Sequence, residues 1–209
     1  MRTVIFSLAL LACSISACAQ SVNDNADVFT SEIGRKARLF CKYVIAVGTT
    51  PGKKGSVPDA EKNKIIFNRV PGLFWNYFEG PRYMLVTNGK NGNLVRKKRM
   101  HNYFLNLKAQ SKTPFNEARV YELRYTGIKP SGKGDGKTFV LKRTLSDGSK
   151  LFASKAAFRQ IYHTVKITPE GPEIHEEEDI KILEVFVLQK PSGNANVYLG
   201  DIVQAIRIK

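Results

Sequence analysis

The chain has 209 residues, with 33 Lys plus Arg against 18 Asp plus Glu, a formal charge of +15, and 43% hydrophobic residues. An excess of cations on this scale draws anionic partners, but by itself it does not choose among nucleic acid, lipid head groups and acidic polysaccharide. Of three cysteines only Cys41 lies outside the first twenty residues, which excludes an internal disulfide framework and leaves a hydrophobic core as the source of stability.

Residues 1–19 have the order of an export leader: a charge at Arg2, an apolar run from Val4 to Ala12, then small residues ending at a cysteine. That run is too short to span a bilayer as a helix. Two cleavage readings stay open. Ile15-Ser16-Ala17-Cys18 resembles the lipobox of bacterial lipoprotein precursors, which implies lipidation of Cys18 as the new first residue. Leu10-Leu11-Ala12-Cys13 is a poorer copy, because Leu11 is bulky where a small residue belongs. The other reading takes Ala17-Cys18-Ala19 as an A-x-A site, with cleavage before Gln20. On either reading the chain is expected to be exported, and lipidation would anchor it to a membrane without spanning it. Residues 20–34, which begin QSVNDNAD, read as a flexible polar tether, leaving 35–209 as a single basic β-rich domain.

In that domain, residues 35–47 (RKARLFCKYVIAV) are the first strong apolar segment, and the β-branched and aromatic residues toward its end predict a strand. Cys41 is expected there as a small buried hydrophobe, since no histidine is placed beside it to make it a nucleophile. Residues 49–63 read as a Pro/Gly/Lys-rich loop and 64–70 as a strand. Pro71-Gly72 marks a turn, and 73–78 (LFWNYF) hold four aromatics, including the single tryptophan. Such a stripe can stack on carbohydrate or wedge into a membrane, but core packing is the expectation. Residues 82–87, the loop NGKNGN at 88–93 and the segment from Leu94 onward predict a β-hairpin, because Asn-Gly pairs supply positive-φ positions.

Arg96, Lys97, Lys98 and Arg99 follow that loop as the densest basic cluster. Alternate strand residues point to opposite faces, so four consecutive charges cannot share one solvated face. The run therefore marks an exposed edge, a hairpin arm or the lead-in to the next element. Edge-protecting charge and an anion-binding patch both fit it. Arg35, Lys36, Arg38, Lys53 and Lys54 extend such a patch only if the fold brings them near.

A short helix is predicted at 101–109. Residues 118–128 alternate, with Tyr121, Leu123 and Tyr125 on one face and Glu122 and Arg124 on the other, as in a half-buried strand. Gly127 to Lys133 and Gly136 to Thr138 approach a phosphate-binding P-loop, but Gly134 and Ser131 break the two partial patterns. The following TFVLKRTL reads as strand, whereas a P-loop must open a helix. Residues 138–145 and 149–153 flank Ser146-Asp147-Gly148 as a second hairpin. Ser154 reads as the cap of a short helix through Ile161. Residues 162–168, 180–189 and 202–208 read as closing strands.

Residues 173–179 (EIHEEED) read as an acidic loop, able to hold a cation or to pair with the basic body. The body is strongly basic: residues 35–166 contain 28 basic and 7 acidic side chains, against 4 and 8 in 170–209. His101, His163 and His175 titrate near neutrality, and two of them could serve as base and acid around a phosphodiester. They are far apart in sequence and stand in no catalytic pattern. No nucleophile elbow, HExxH helix or paired-cysteine metal motif occurs.

The elements sum to a mainly β, β-rich α+β fold: an antiparallel sheet, sandwich or barrel with one or two short helices. The leading functional expectation is an exported, lipid-anchored envelope protein. Its basic, non-enzymatic domain, with no cofactor, binds an anionic envelope component or an acidic protein partner; export disfavours nucleic acid as the target. Two alternatives remain, a secreted hydrolase such as a ribonuclease acting on a polyanion, and an accessory subunit of an envelope assembly docked through residues 73–78.

Overall fold

A computed structural model describes residues 22–77, 82–89, 92–112, 118–129 and 138–207, with the side chains of 82–97, 118–125, 128–129, 162–167, 172, 174, 177 and 207 outside that description. Val22, Ala26, Phe29, Ile33, Ala37, Phe40, Val44 and Val47 recur at steps of three or four residues, the period of one helix face. Helix α1, Ala26–Gly48, turns this stripe into the core, where Val22, Ile33, Ala37, Phe40, Val44 and Val47 are all buried. Residues 35–47 are therefore helix and not the expected strand. The β-branched and aromatic residues near the end of the segment cost only about 0.5 kcal/mol each in helix propensity, less than burying the stripe returns. The expected tether is folded from Val22 onward, because its polar residues alternate with this same inward face.

Helix α2, Asp59–Lys64, runs on through a π turn, Ile65–Arg69, and a 3-10 turn, Pro71–Leu73. The strand expected at 64–70 is thus helical. Ile65, Ile66 and Val70 are buried, and a short apolar run of this kind does not distinguish a strand from a buried helix by periodicity. The aromatic segment enters the core as expected through Leu73, Phe74 and Tyr77; Phe78 lies outside the described residues. Phe40 is the hub, meeting Phe74, Phe104 and Phe158 edge-on at centroid distances of 5.4, 6.1 and 6.0 Å. Cys41 is buried and stands outside any disulfide.

The two hairpins read from their turn residues are present. Strands β1, Arg82–Gly89, and β2, Gly92–Arg99, pair antiparallel and lead into helix α3, Met100–Gln110. Strands β3, Ala118–Lys129, and β4, Val140–Thr144, lie end to end along one edge of β5, Lys150–Thr168. Strand β6, Gly171–Gln189, covers the other edge of β5, and β7, Ala195–Arg207, closes the antiparallel sheet. One sheet face, with Phe152, Ala156, Phe158, Leu183, Val185, Val187, Val197, Leu199 and Ile202, shares a core with α1. Leu151, Phe186 and Leu188 form a smaller cluster with Trp75, Leu145, Ala153 and Tyr198. The β-rich α+β expectation holds as a helix-covered antiparallel sheet.

Two local expectations fail within it. The helix expected at 154–161 is the middle of β5, where the ladders to β3 and β6 satisfy the backbone on both sides and outweigh the helix propensity of Ala156 and Ala157. The acidic loop expected at 173–179 lies within β6, paired with the basic β5. Its charges partly neutralise the body, since Arg159 holds Glu178 through two hydrogen bonds of 2.6 and 2.9 Å; further along β6, Lys142 reaches Glu184 at 3.0 Å.

Candidate anion-binding site

The basic cluster occupies the arm and root of the first hairpin. Its register sets Arg96 opposite Leu85, Lys97 opposite Met84, Lys98 opposite Tyr83 and Arg99 opposite Arg82. Arg99 is also the N-cap of α3, in an extended conformation with φ −58° and ψ 142°. Met100, Tyr103, Phe104 and Leu107 bury the inward stripe of that helix. Asn102, Leu105 and Asn106 therefore lie outside the stripe, and they line a concavity of about 470 Å³ together with Lys98 and Arg99. No carboxylate is among these lining residues. Two cations and two carboxamides are suited to an oxyanion, the cations supplying charge and the amide N–H groups direction.

Arg96 and Lys97 precede Lys98 on β2, and their side chains lie outside the described residues. Arg82, Asn102 and Asn106 were not singled out from sequence; the Asn pair at i, i+4, off the apolar stripe of α3, is the pattern that could have marked them. The cations expected to extend the patch are otherwise occupied in two cases. Arg35 makes two 2.7 Å hydrogen bonds to Glu32. Lys36 donates to the carbonyls of Gly72 at 3.1 Å and Val197 at 2.7 Å and lies over the Tyr198 ring; burial pulls its ammonium below the ordinary lysine value. Arg38, Lys53 and Lys54 are exposed.

The described contacts join no two of the histidines. His101 meets the rings of Phe67 and Tyr77 at 5.4 and 5.6 Å. His175 lies 3.2 Å from Glu173. His163 takes a rung of β5 between Arg119 and Glu176. Most of the P-loop-like stretch lies outside the described residues. Asp179, expected in a hydrated loop, is 1% exposed beside Lys181 at 2%, with the ammonium 3.1 Å from the carboxylate and also bonded to Gln160. A second concavity of about 290 Å³ is lined by Trp75, Lys142, Arg143, Glu184 and Asp201 among others. Its cations and carboxylates balance, and Lys142 lies across its Phe186 floor.

No protein-family model, no curated protein and no solved structure matches this chain, so geometry and charge carry the functional reading.

Proposed function

We propose that the protein is an exported envelope protein, anchored through Cys18, whose domain binds an anionic envelope component without catalysis at the root of the β1–β2 hairpin. The observation that carries the reading is the concavity at the hairpin root, lined by Lys98, Arg99, Asn102 and Asn106 with no carboxylate among its lining residues. An oxyanion there offsets the charge of the two cations and accepts hydrogen bonds from the two carboxamides. Among the described residues no helix is long and apolar enough to cross a membrane, which is compatible with lipid anchoring. A histidine-based hydrolase has less support, since His101 packs edge-on against Phe67 and Tyr77 and the described contacts join no two of the histidines.

The test uses heparin as a soluble sulfated polyanion, titrated at several salt concentrations against the natural chain and the Lys98→Glu, Arg99→Glu double variant. Binding is expected to fall at least tenfold and its salt slope to shrink by about 2, one for each cation removed from the site. Unchanged affinity and slope in a folded double variant rule the site out. Intact mass of the mature protein checks the anchor separately: acyl chains on Cys18 support it, and a bare Gln20 terminus removes it.

A further inference from the structure

Resting on the anchoring through Cys18, we propose that the domain docks on an anionic bilayer surface through the β4 edge and the start of α1. The tether length points to this. Cys18 and Val22 are four Cα steps apart, ~14 Å at full extension, and Val22 is already 1% exposed in the core. An acyl chain at Cys18 therefore holds the body against the bilayer, with no room for the domain to stand away from it.

The position of the fixed end of this leash is also set. The Asn23 carboxamide donates from Nδ2 to the Phe139 carbonyl at 3.1 Å, and the Phe139 N–H donates to Asn23 Oδ1 at 3.0 Å. The Phe29 ring meets the Phe139 ring edge-on at 6.2 Å. Strand β4 starts at the next residue, Val140, so the leash emerges beside it.

The surface at that point has the chemistry of a membrane contact. All five residues of β4 are exposed, with Val140 at 38% and Leu141 at 37%. Val28, next to Phe29, is 64% exposed. Apolar side chains of this kind enter the boundary between head groups and acyl chains. Lys142 and Arg143 follow directly, where anionic head groups attract cations. Lys142 also reaches Glu184, so Arg143 is the cation of this edge with no ion pair among the described contacts. The patch is small, but the anchor presents it to the bilayer at high effective concentration.

The experiment places a fluorophore on Leu141→Cys in the full chain, processed by a bacterial host and reconstituted into phosphatidylethanolamine–phosphatidylglycerol vesicles carrying a lipid-borne nitroxide quencher. Acylation blocks Cys18 and Cys41 is buried, so the introduced thiol is the one that reacts. The control label sits at Glu170→Cys in the exposed β5–β6 turn, roughly 50 Å away along β5 at the usual rise per strand residue. Quenching at 141 is expected to exceed that at 170 several-fold, and Arg143→Glu is expected to lower it and to raise quenching by aqueous iodide. Val140→Cys repeats the measurement should Leu141→Cys fold poorly. Equal quenching at both positions, in protein whose mass shows acyl chains, overturns the docking surface and leaves the anchor standing. A mature mass without acyl chains overturns both.

Discussion

The ammonium of Lys62 lies 2.7 Å from the hydroxyl of Ser111 and 2.8 Å from the carbonyl of Thr49. Lys62 is wholly buried. Thr49 and Ser111 are the C-cap residues of α1 and α3, so one cation from α2 ties two helix C-termini, where exposed carbonyls favour positive charge. Truncation leaves buried polar atoms unpaired. Lys62→Ala is expected to cost about 3 kcal/mol in urea unfolding, and Ser111→Ala about 1 kcal/mol. A loss below about 0.5 kcal/mol for Lys62→Ala would show that this tie contributes little.

Gly200 marks a close approach of β7 to β6. A Cβ at this position would collide with Phe186 Cε2 and lie 3.1 Å from Phe186 Cζ and 3.2 Å from Glu184 Cβ. Both neighbours are constrained, the first in a packed cluster and the second as the root of a side chain on the adjacent strand. Gly200→Ala is expected to lower stability by about 1–3 kcal/mol, as overpacking does. Adding Phe186→Leu should recover part of that loss, which a double-mutant cycle measures directly. Simple additivity would mean that the crowding lies elsewhere.

Asp147 shapes the β4–β5 hairpin. Its carboxylate accepts from the Ser149 N–H at 2.9 Å and from the Ser149 hydroxyl at 3.0 Å, and the backbone bond above all holds its pKa below the ordinary 3.8. The folded state thus favours the ionised form. Its contribution is fully present above about pH 4 and is lost as pH falls through the lowered folded value. Asp147→Asn is expected to be less stable than the natural chain at pH 6, with the difference narrowing on acidification below pH 4. Parallel stability curves from pH 6 to pH 2 would contradict this role.

Local chemistry made much of the fold legible. Asp147-Gly148 announced the second hairpin because a positive-φ turn residue acts within four positions, Gly148 having φ 78°, and the Asn-Gly pairs of 88–93 announced the first, whose central turn residues 90 and 91 lie outside the described residues. The strict alternation of 118–128 marked β3, and residues 101–109 marked α3. Residues 35–47 taken alone have the composition of a strand, because they hold only the later turns of a longer helical stripe. Their helical stripe starts at Val22, and its first turns lie among the polar residues read as a tether. Residues 154–161 misled for the opposite reason: Ala156 and Ala157 have helix propensity, and only the flanking strands override it.

The candidate site divides along the same line. The sequence by itself determined the charge, the densest basic run and the hairpin that carries it, because composition and turn chemistry do not depend on distant partners. Tertiary structure decided that Lys98 and Arg99, with Asn102 and Asn106, line one concavity, that Lys36 is tied to backbone carbonyls, and that Asp179 is buried against Lys181. The physical reason is that a charge becomes a ligand contact or a structural tie according to the surface packed against it, and that surface comes from residues far along the chain.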